Sequence, residues 1–334
     1  MGKFLQKHKK INYLQKAFRR MKNDEFVQDV LEMDKNASYV KICNAGKANG
    51  KLIYVAKTMG CDGFFAELRF VLHEIYYADK YGFIPVATMS ESSCYAEAYP
   101  VNGSKNPFEY YFKPTSNIAY QEAEMEYAYV RHTWVQRKQI ELDTGMVENN
   151  YKITDRYMET MSNIVKKYLR YNDAVQAYLD ENTQMLAGKK ILGVHVRGAD
   201  FKRGYKNHPF IVTTDEYIAQ AKEDFEQGNY DGVFLATDDQ EALEKFSEMF
   251  ADKLYYYKDV IRTDGDETVM KSESDRDNHH YKLGLEVIRD MHTLSCCSGL
   301  IAGMSNVSIF ARILKKSRGE EYQTLTIIDK GIKK

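Results

Sequence analysis

From residue 189 onward, short apolar runs alternate with amphipathic segments, and this alternation most narrows the folds open to the chain. Runs at 191–196, 233–236, 254–257, 299–302 and 324–328 have the length and composition of buried strands, while about 215–227, 240–250, 281–294 and 306–317 carry a helical period. Thr213 and Glu216 have capping-box spacing, and Gly228 and Gly319 stand where helices commonly end. Strand and helix in alternation imply a parallel sheet covered on both faces. Such a sheet binds ligands at the carboxyl ends of its strands.

The first half is less regular. Residues 51–87 read as a strand (KLIYVA), a glycine-bearing turn, an amphipathic helix through Ala78 and a second short strand (GFIPVAT), a βαβ opening. Residues 90–120 show no clear period and read as long loops. Residues 121–187 read as helical, rich in Tyr, Met, Lys and Glu, and end at Gly188. At 334 residues the chain exceeds what one core usually organises, so two domains are expected, 1–188 and 189–334, with the helical stretch as a bridge.

Composition removes some classes of function. The 47 basic and 48 acidic residues lack the basic excess of a nucleic-acid binder. No run of about 18 apolar residues is present to span a bilayer. The five cysteines form no CxxC pair and no regular framework, which suits reduced thiols in a cytoplasmic protein. The basic start, MGKFLQKHKKINYLQKAFRRMK, has no apolar signal core. It reads as a solvated helix packing one side on the body, with peripheral contact to an anionic membrane at the cytoplasmic face as the other reading.

The chemistry gathers at the strand ends. The stretch ILGVHVRGAD places His195, Arg197 and Asp200 at the end of a strand that has no structural use for a guanidinium. VFLATDD places Asp238 at the end of the next. GMSNVS, before the last helix, sets small polar residues where free N–H groups and the helix dipole favour an anion. An arginine beside such a helix start suits a diphosphate. Separately, Asp238 with Glu241 reads as a helix N-cap, and Ser305 as another.

These motifs carry a resemblance. GVHVRGADF, VFLATDDQEAL, LGLEVIRDMHTLSCCSGL and GMSNVSIFARIL, in this order, resemble the donor-domain motifs of the α1,6-fucosyltransferases, the protein O-fucosyltransferases and their bacterial relatives. A looser likeness extends to GFFAELRFVLHEIYYADKYGFIPV and NPFEYYF. The resemblance implies an α/β protein of the GT-B kind, with two facing Rossmann-like domains built on parallel sheets. It implies an inverting, metal-independent transferase with GDP-fucose as donor substrate, no further cofactor, and a glycan acceptor. For the bacterial relatives a surface polysaccharide precursor is the expected acceptor. Carried over by position, Arg197 would contact the donor diphosphate and His195 would line the nucleotide pocket. Asp238 would shape the site, Asp290 would recognise guanine, and Ser305 and Asn306 would hold the phosphates.

Two departures stand out. Many eukaryotic members have a second arginine where this chain has Gly198, so that contact is lost or comes from elsewhere, with Lys202 and Arg203 nearby. The acid found further along in the α1,6 enzymes has no counterpart in FKRGYKNHP. The catalytic base is therefore open: Asp200 is the nearest carboxylate to Arg197, and Asp62, Glu67 and Glu109 are candidates from the first half. Asp264 and Asp266 mimic a DxD metal motif but sit in a charged loop without a flanking strand. His279 and His280 are adjacent and cannot serve one metal from one helix face. Another GDP-sugar as donor, or a silent nucleotide-sugar-binding scaffold, would fit the same donor contacts.

Overall fold

The computed structural model describes residues 41–44, 50–58, 60, 62–131, 136–147, 152–198, 208–263, 269–272 and 274–333. The basic N-terminus lies outside these. In chain order the first half contributes β1 (Lys41–Cys43), β2 (Leu52–Lys57), α1 (Phe64–Lys80), β3 (Ile84–Thr88), α2 (Tyr120–Glu126), β4 (Ala128–Arg131) and α3 (Gln139–Thr144). Helices α4 (Asp155–Tyr168) and α5 (Asp173–Thr183) follow. The second half runs β5 (Ile191–Val196), α6 (Thr214–Gly228), β6 (Gly232–Thr237), α7 (Gln240–Phe250), β7 (Leu254–Tyr255), α8 (His279–Cys296), β8 (Gly299–Gly303), α9 (Asn306–Ser317) and β9 (Thr324–Ile328).

The second half forms a five-stranded sheet in the order β7-β6-β5-β8-β9 with every pairing parallel. All residues of β5, β6 and β8 are buried, as their unbroken apolar runs require of strands covered on both faces. The order reverses between β5 and β8, so their carboxyl ends diverge to a crevice, the place where doubly wound sheets bind ligands. The expected capping box on α6 is present: Thr213 accepts from the Glu216 N–H while Glu216 accepts from the Thr213 N–H. Its end differs from expectation. Asn229, not Gly228, takes the left-handed conformation, with φ of 50°.

The first half forms a four-stranded sheet, β1-β4-β2-β3, in which β3 and β4 run parallel to β2 and β1 runs antiparallel to β4. The βαβ opening is as read. The stretch from 121 is not helical throughout, however: β4 interrupts it at AYVR, because these residues complete the sheet beside β2 and tertiary pairing outweighs local tendency.

One hydrophobic core runs through both halves, joining Phe64, Leu68 and Leu72 of α1, Met161 and Val165 of α4, and Phe310 and Ile313 of α9. Phe65 and Phe310 meet with centroids 4.9 Å apart, and the Ser162 hydroxyl donates to the Ile313 carbonyl at 3.2 Å. The start of α8 has no side-chain cap from its own Asn278; instead Glu97 of the first half accepts from the Tyr281 N–H at 2.9 Å. Close by, Tyr111 donates to the Tyr281 carbonyl at 3.0 Å and stacks on its ring at 5.3 Å. Further along α8, Arg289 is 2% exposed, holds Asp259 in a fork at 2.6 and 3.0 Å and donates to Asn182 of α5.

Gly284 makes the Tyr111 contact feasible, since a Cβ there would lie 2.2 Å from the tyrosine hydroxyl. Gly→Ala inside a helix ordinarily gains about 1 kcal/mol. Overpacking a filled core costs about 1–3 kcal/mol, so Gly284→Ala is expected to lower stability on balance. Urea denaturation followed by circular dichroism measures it. A stabilised variant would show that Tyr111 does not fill this space.

Candidate active site

The site is built outward from the end of β5. Alternation along the buried strand sends the His195 ring to a position 7% exposed, with Nδ1 3.3 Å from the Ser305 hydroxyl. Burial and the neighbouring Arg197 charge push its imidazole down to about 3, so the ring is neutral at physiological pH. It can donate or accept a hydrogen bond but contributes no charge. Arg197, half-buried just past the strand end, also exerts its field on the Tyr217 phenol. Tyr217 is 1% exposed and hydrogen-bonded to the backbone of Gly303 at the end of β8. The ends of β5 and β8 thus present Arg197, His195 and Ser305 together.

Helix α9 begins at that point. Ser305 is its N-cap, accepting from the Ser308 N–H at 3.1 Å, while the Ser308 hydroxyl donates to the Gly303 carbonyl at 2.9 Å. The hydroxyl of Ser305 is therefore committed to the cap, the second of the two roles read from the sequence. What remains for an anion is the backbone: the first N–H groups of a helix have no intrahelical acceptor, and the dipole adds partial positive charge there. Asn306, the first helical residue, has its side-chain carbonyl oxygen buried without a hydrogen-bond partner.

Asp238 is not the cap of α7. That task falls to Asp239, whose Oδ1 accepts from the Ala242 N–H at 3.3 Å. Asp238 turns instead toward the end of β5, where a Cβ on Gly198 would lie 1.8 Å from its Oδ1. A side chain at 198 would meet the Asp238 carboxylate in its present position.

Asp290 lies on α8, half-buried. Burial is the main cause that pushes its carboxyl up to about 7; Glu286 and Asp238 raise it further, while Arg289 and Arg262 oppose them. Its carboxylate takes no hydrogen bond from the described residues. Arg289, next in sequence, is occupied with Asp259 and gives Asp290 only its field.

Other candidates separate. Asp200, Lys202, Arg203, Asp264 and Asp266 lie outside the described residues. Glu67 is 1% exposed, accepts from the Asp62 N–H at 3.1 Å and the Ser93 hydroxyl at 3.2 Å, and is pushed by burial up to about 7. It braces the turn before α1 rather than facing a ligand, and Asp62 in that turn is exposed. Glu109 is bound within its own loop by Ser104 and Asn106. Tyr110, Tyr111 and Phe112, in the NPFEYYF stretch, are buried core residues. His279 bonds the Ser272 carbonyl and His280 the Cys94 carbonyl, so the two rings serve different segments. Among the described residues, no group of three or more His, Cys, Asp or Glu is placed to hold a metal.

The thiol reading needs one correction. Cys43, Cys296 and Cys297 are free, but Cys94 is disulfide-bonded. Its loop makes contacts to α8 through His280 and Glu97, where a covalent tie has something to hold. The inference from reduced thiols to the cytoplasm loses this support. Among the described residues, no helix is long and apolar enough to cross a membrane.

Two residues close to the candidate site escaped the sequence reading. Tyr217 sat in an amphipathic helix with nothing to set it apart from core tyrosines, and Arg262 opened a stretch read as a solvated loop. The one sequence signal for Arg262 was its place in the loop that follows the third strand of the sheet.

No family model matches the chain, and no curated protein matches it. Among solved structures, it is similar to the NodZ α1,6-fucosyltransferase soaked with GDP-fucose, at 16% identity, over 79% of this chain and 92% of that one, with a TM-score of 0.48. Fucosyltransferase NodZ from Bradyrhizobium matches at 14% identity, over 80% and 92% of the two chains, with a TM-score of 0.46. POFUT1 in complex with GDP matches at 10% identity, over 84% of this chain and 98% of that one, with a TM-score of 0.48.

Proposed function

We propose that the chain is an inverting glycosyltransferase that moves fucose from GDP-fucose to a hydroxyl of a glycan acceptor. The observation that carries this reading is the meeting of Arg197, a neutral His195 and the N-terminus of α9 at the switch point of a parallel sheet. Those groups suit a diphosphate. Asp290, with two unoccupied acceptor oxygens beyond them, suits the paired N–H donors on the edge of guanine. The sugar is assigned from the four collinear motifs, and the bacterial relatives they resemble point to a surface polysaccharide precursor as acceptor.

In this reading the acceptor oxygen attacks C1 of the sugar from the face opposite GDP. The bond between C1 and the phosphate oxygen breaks, its electron pair passes to the diphosphate, and the hydroxyl proton goes to a base. Charge therefore grows on the leaving group as the sugar becomes oxocarbenium-like. The Arg197 guanidinium and the fixed N–H groups of α9 meet that charge without reorganising. The reading assigns this work to the protein and requires no divalent cation. Asp200 is the proposed base, as the carboxylate nearest Arg197 in sequence.

Three outcomes are expected. Arg197→Ala should lower turnover about 100- to 1,000-fold with the fold retained, and Arg197→Lys should restore little, because an ammonium lacks the planar fork. Assays of GDP release, with circular dichroism as the control, measure this; a well-folded, fully active alanine variant would remove Arg197 from catalysis. A chelator should leave turnover unchanged, and loss of activity restored by manganese would overturn the metal-independent reading.

The third concerns pH. With its carboxyl up at about 7, Asp290 accepts the guanine donors only when ionised. GDP affinity is therefore greatest above that value and weakens by up to about tenfold per pH unit below it. Asp290→Asn should weaken GDP by about 10- to 150-fold and flatten this dependence. Calorimetric titrations across pH decide it, and equal affinities would place guanine elsewhere.

A further inference from the structure

Arg262 lies in the segment that follows β7. Its guanidinium donates to the Tyr257 carbonyl at 2.8 Å and the Val260 carbonyl at 3.2 Å, and it lies 5.5 Å from the Tyr256 ring centroid. All these partners belong to its own segment, and all are neutral. No carboxylate pairs with it among the described residues. A surface arginine would stay in solvent; this one is folded back, half-buried, with Nε buried and unpartnered. Holding a desolvated cation on two carbonyls has a free-energy cost that needs a compensating charge nearby.

The carboxylates whose charge acts on it are Asp290 first and then Asp259, and Asp259 is already held in the Arg289 fork. The segment carrying Arg262 is docked on α8 by the Tyr257 hydroxyl, 2.8 Å from Thr293 Oγ1, and by the Asp259–Arg289 fork. Thr293 lies three residues beyond Asp290, on the same face of the helix. At its far end the segment is fixed to the strand ends, Thr263 donating to the Asp238 carbonyl at 3.0 Å and accepting from the Gln240 N–H at 3.2 Å. Arg262 is thus held between two anchors, with Asp290 within its field. Around Asp290 the charged groups are Glu286 and Arg289 on its own helix, Asp238 at the end of β6, and Arg262. The phenols of Tyr178 and Tyr257 complete the surroundings. Two acids oppose ionisation of Asp290. Of the two cations, Arg289 is already shared with Asp259.

We propose that Arg262 is a positioning residue for nucleotide recognition: held on two backbone carbonyls between its anchors on α8 and at the strand ends, it is the cation that faces the Asp290 carboxyl group. It acts on the base edge of the nucleotide through Asp290, without touching the ligand. The effect on nucleotide affinity rests on the guanine contact proposed above; the effect on Asp290 itself does not.

Two measurements separate them. In the ligand-free protein, the Asp290 carboxyl is titrated by carbon NMR, assigned by its absence in Asp290→Asn. Removing a cation should displace that titration upward by about one pH unit or more in Arg262→Met, and Arg262→Lys should stay close to the parent. GDP affinity is then measured from about pH 6 to about pH 8.5 in all three proteins. At about pH 7 the methionine variant should bind GDP about 3- to 10-fold more weakly and recover toward the top of the range. The terminal phosphate of GDP titrates alike in each, so it cancels in the comparison.

An unmoved Asp290 titration in Arg262→Met would overturn the proposal, as would an equal, pH-independent loss of affinity in both variants, the mark of a merely structural side chain. If the carboxyl titration moves while the GDP profile does not, the guanine contact fails and the coupling between the two residues stands.

Discussion

Helix α9 is where the constraints on this protein meet. Its first residues must stand at the end of β8, beside His195, while its flank fills the core shared by the two halves. Phe310 is 1% exposed and meets Phe65, and full burial of one such ring contributes about 1.5–3 kcal/mol. The same packing fixes the axis of the helix, and hence the direction of its N–H groups. Core cohesion and the aim of the free N–H groups are in this way set by one element. A shift of α9 to relieve the core would move the site with it.

Charge is distributed unevenly along the crevice. A guanidinium, the N-terminus of a helix and an imidazole too desolvated to protonate stand at the ends of β5 and β8. Asp238 lies beside them, against Gly198, and its charge helps to hold the Asp290 carboxyl of α8 above the usual range. Cation and acid are therefore close neighbours at the strand ends, so the field there changes sign over a short distance.

The second half was the more legible from sequence, because fully buried parallel strands must be continuously apolar, and the polar residues that end them become conspicuous. His195, Arg197 and Ser305 stood out for this reason; His195 contacts the Ser305 hydroxyl and lies in the field of Arg197. The first half hid more. Strand β4 is short and lies within a stretch of helix-forming residues, and only its pairing with β2 and β1 makes it a strand. Tyr110 and Tyr111 look like a carbohydrate platform in a list of residues, yet burial is a property of the assembled core. Asp239 took the capping role that Asp238 seemed suited to, a choice made by backbone direction one residue on. Arg262 could not be weighed at all without knowing what its loop packs against.

The close approach of Asp238 to Gly198 ties two positions forty residues apart into one steric unit. The Asp238 carboxylate occupies the space into which a side chain at 198 would project. Its oxygens are the movable end of a side chain, so a substituent at 198 would be accommodated by turning the acid aside, with the backbone of β5 left in place. The glycine therefore governs where the negative charge stands at this strand end, and leaves the strand itself free to form with or without it.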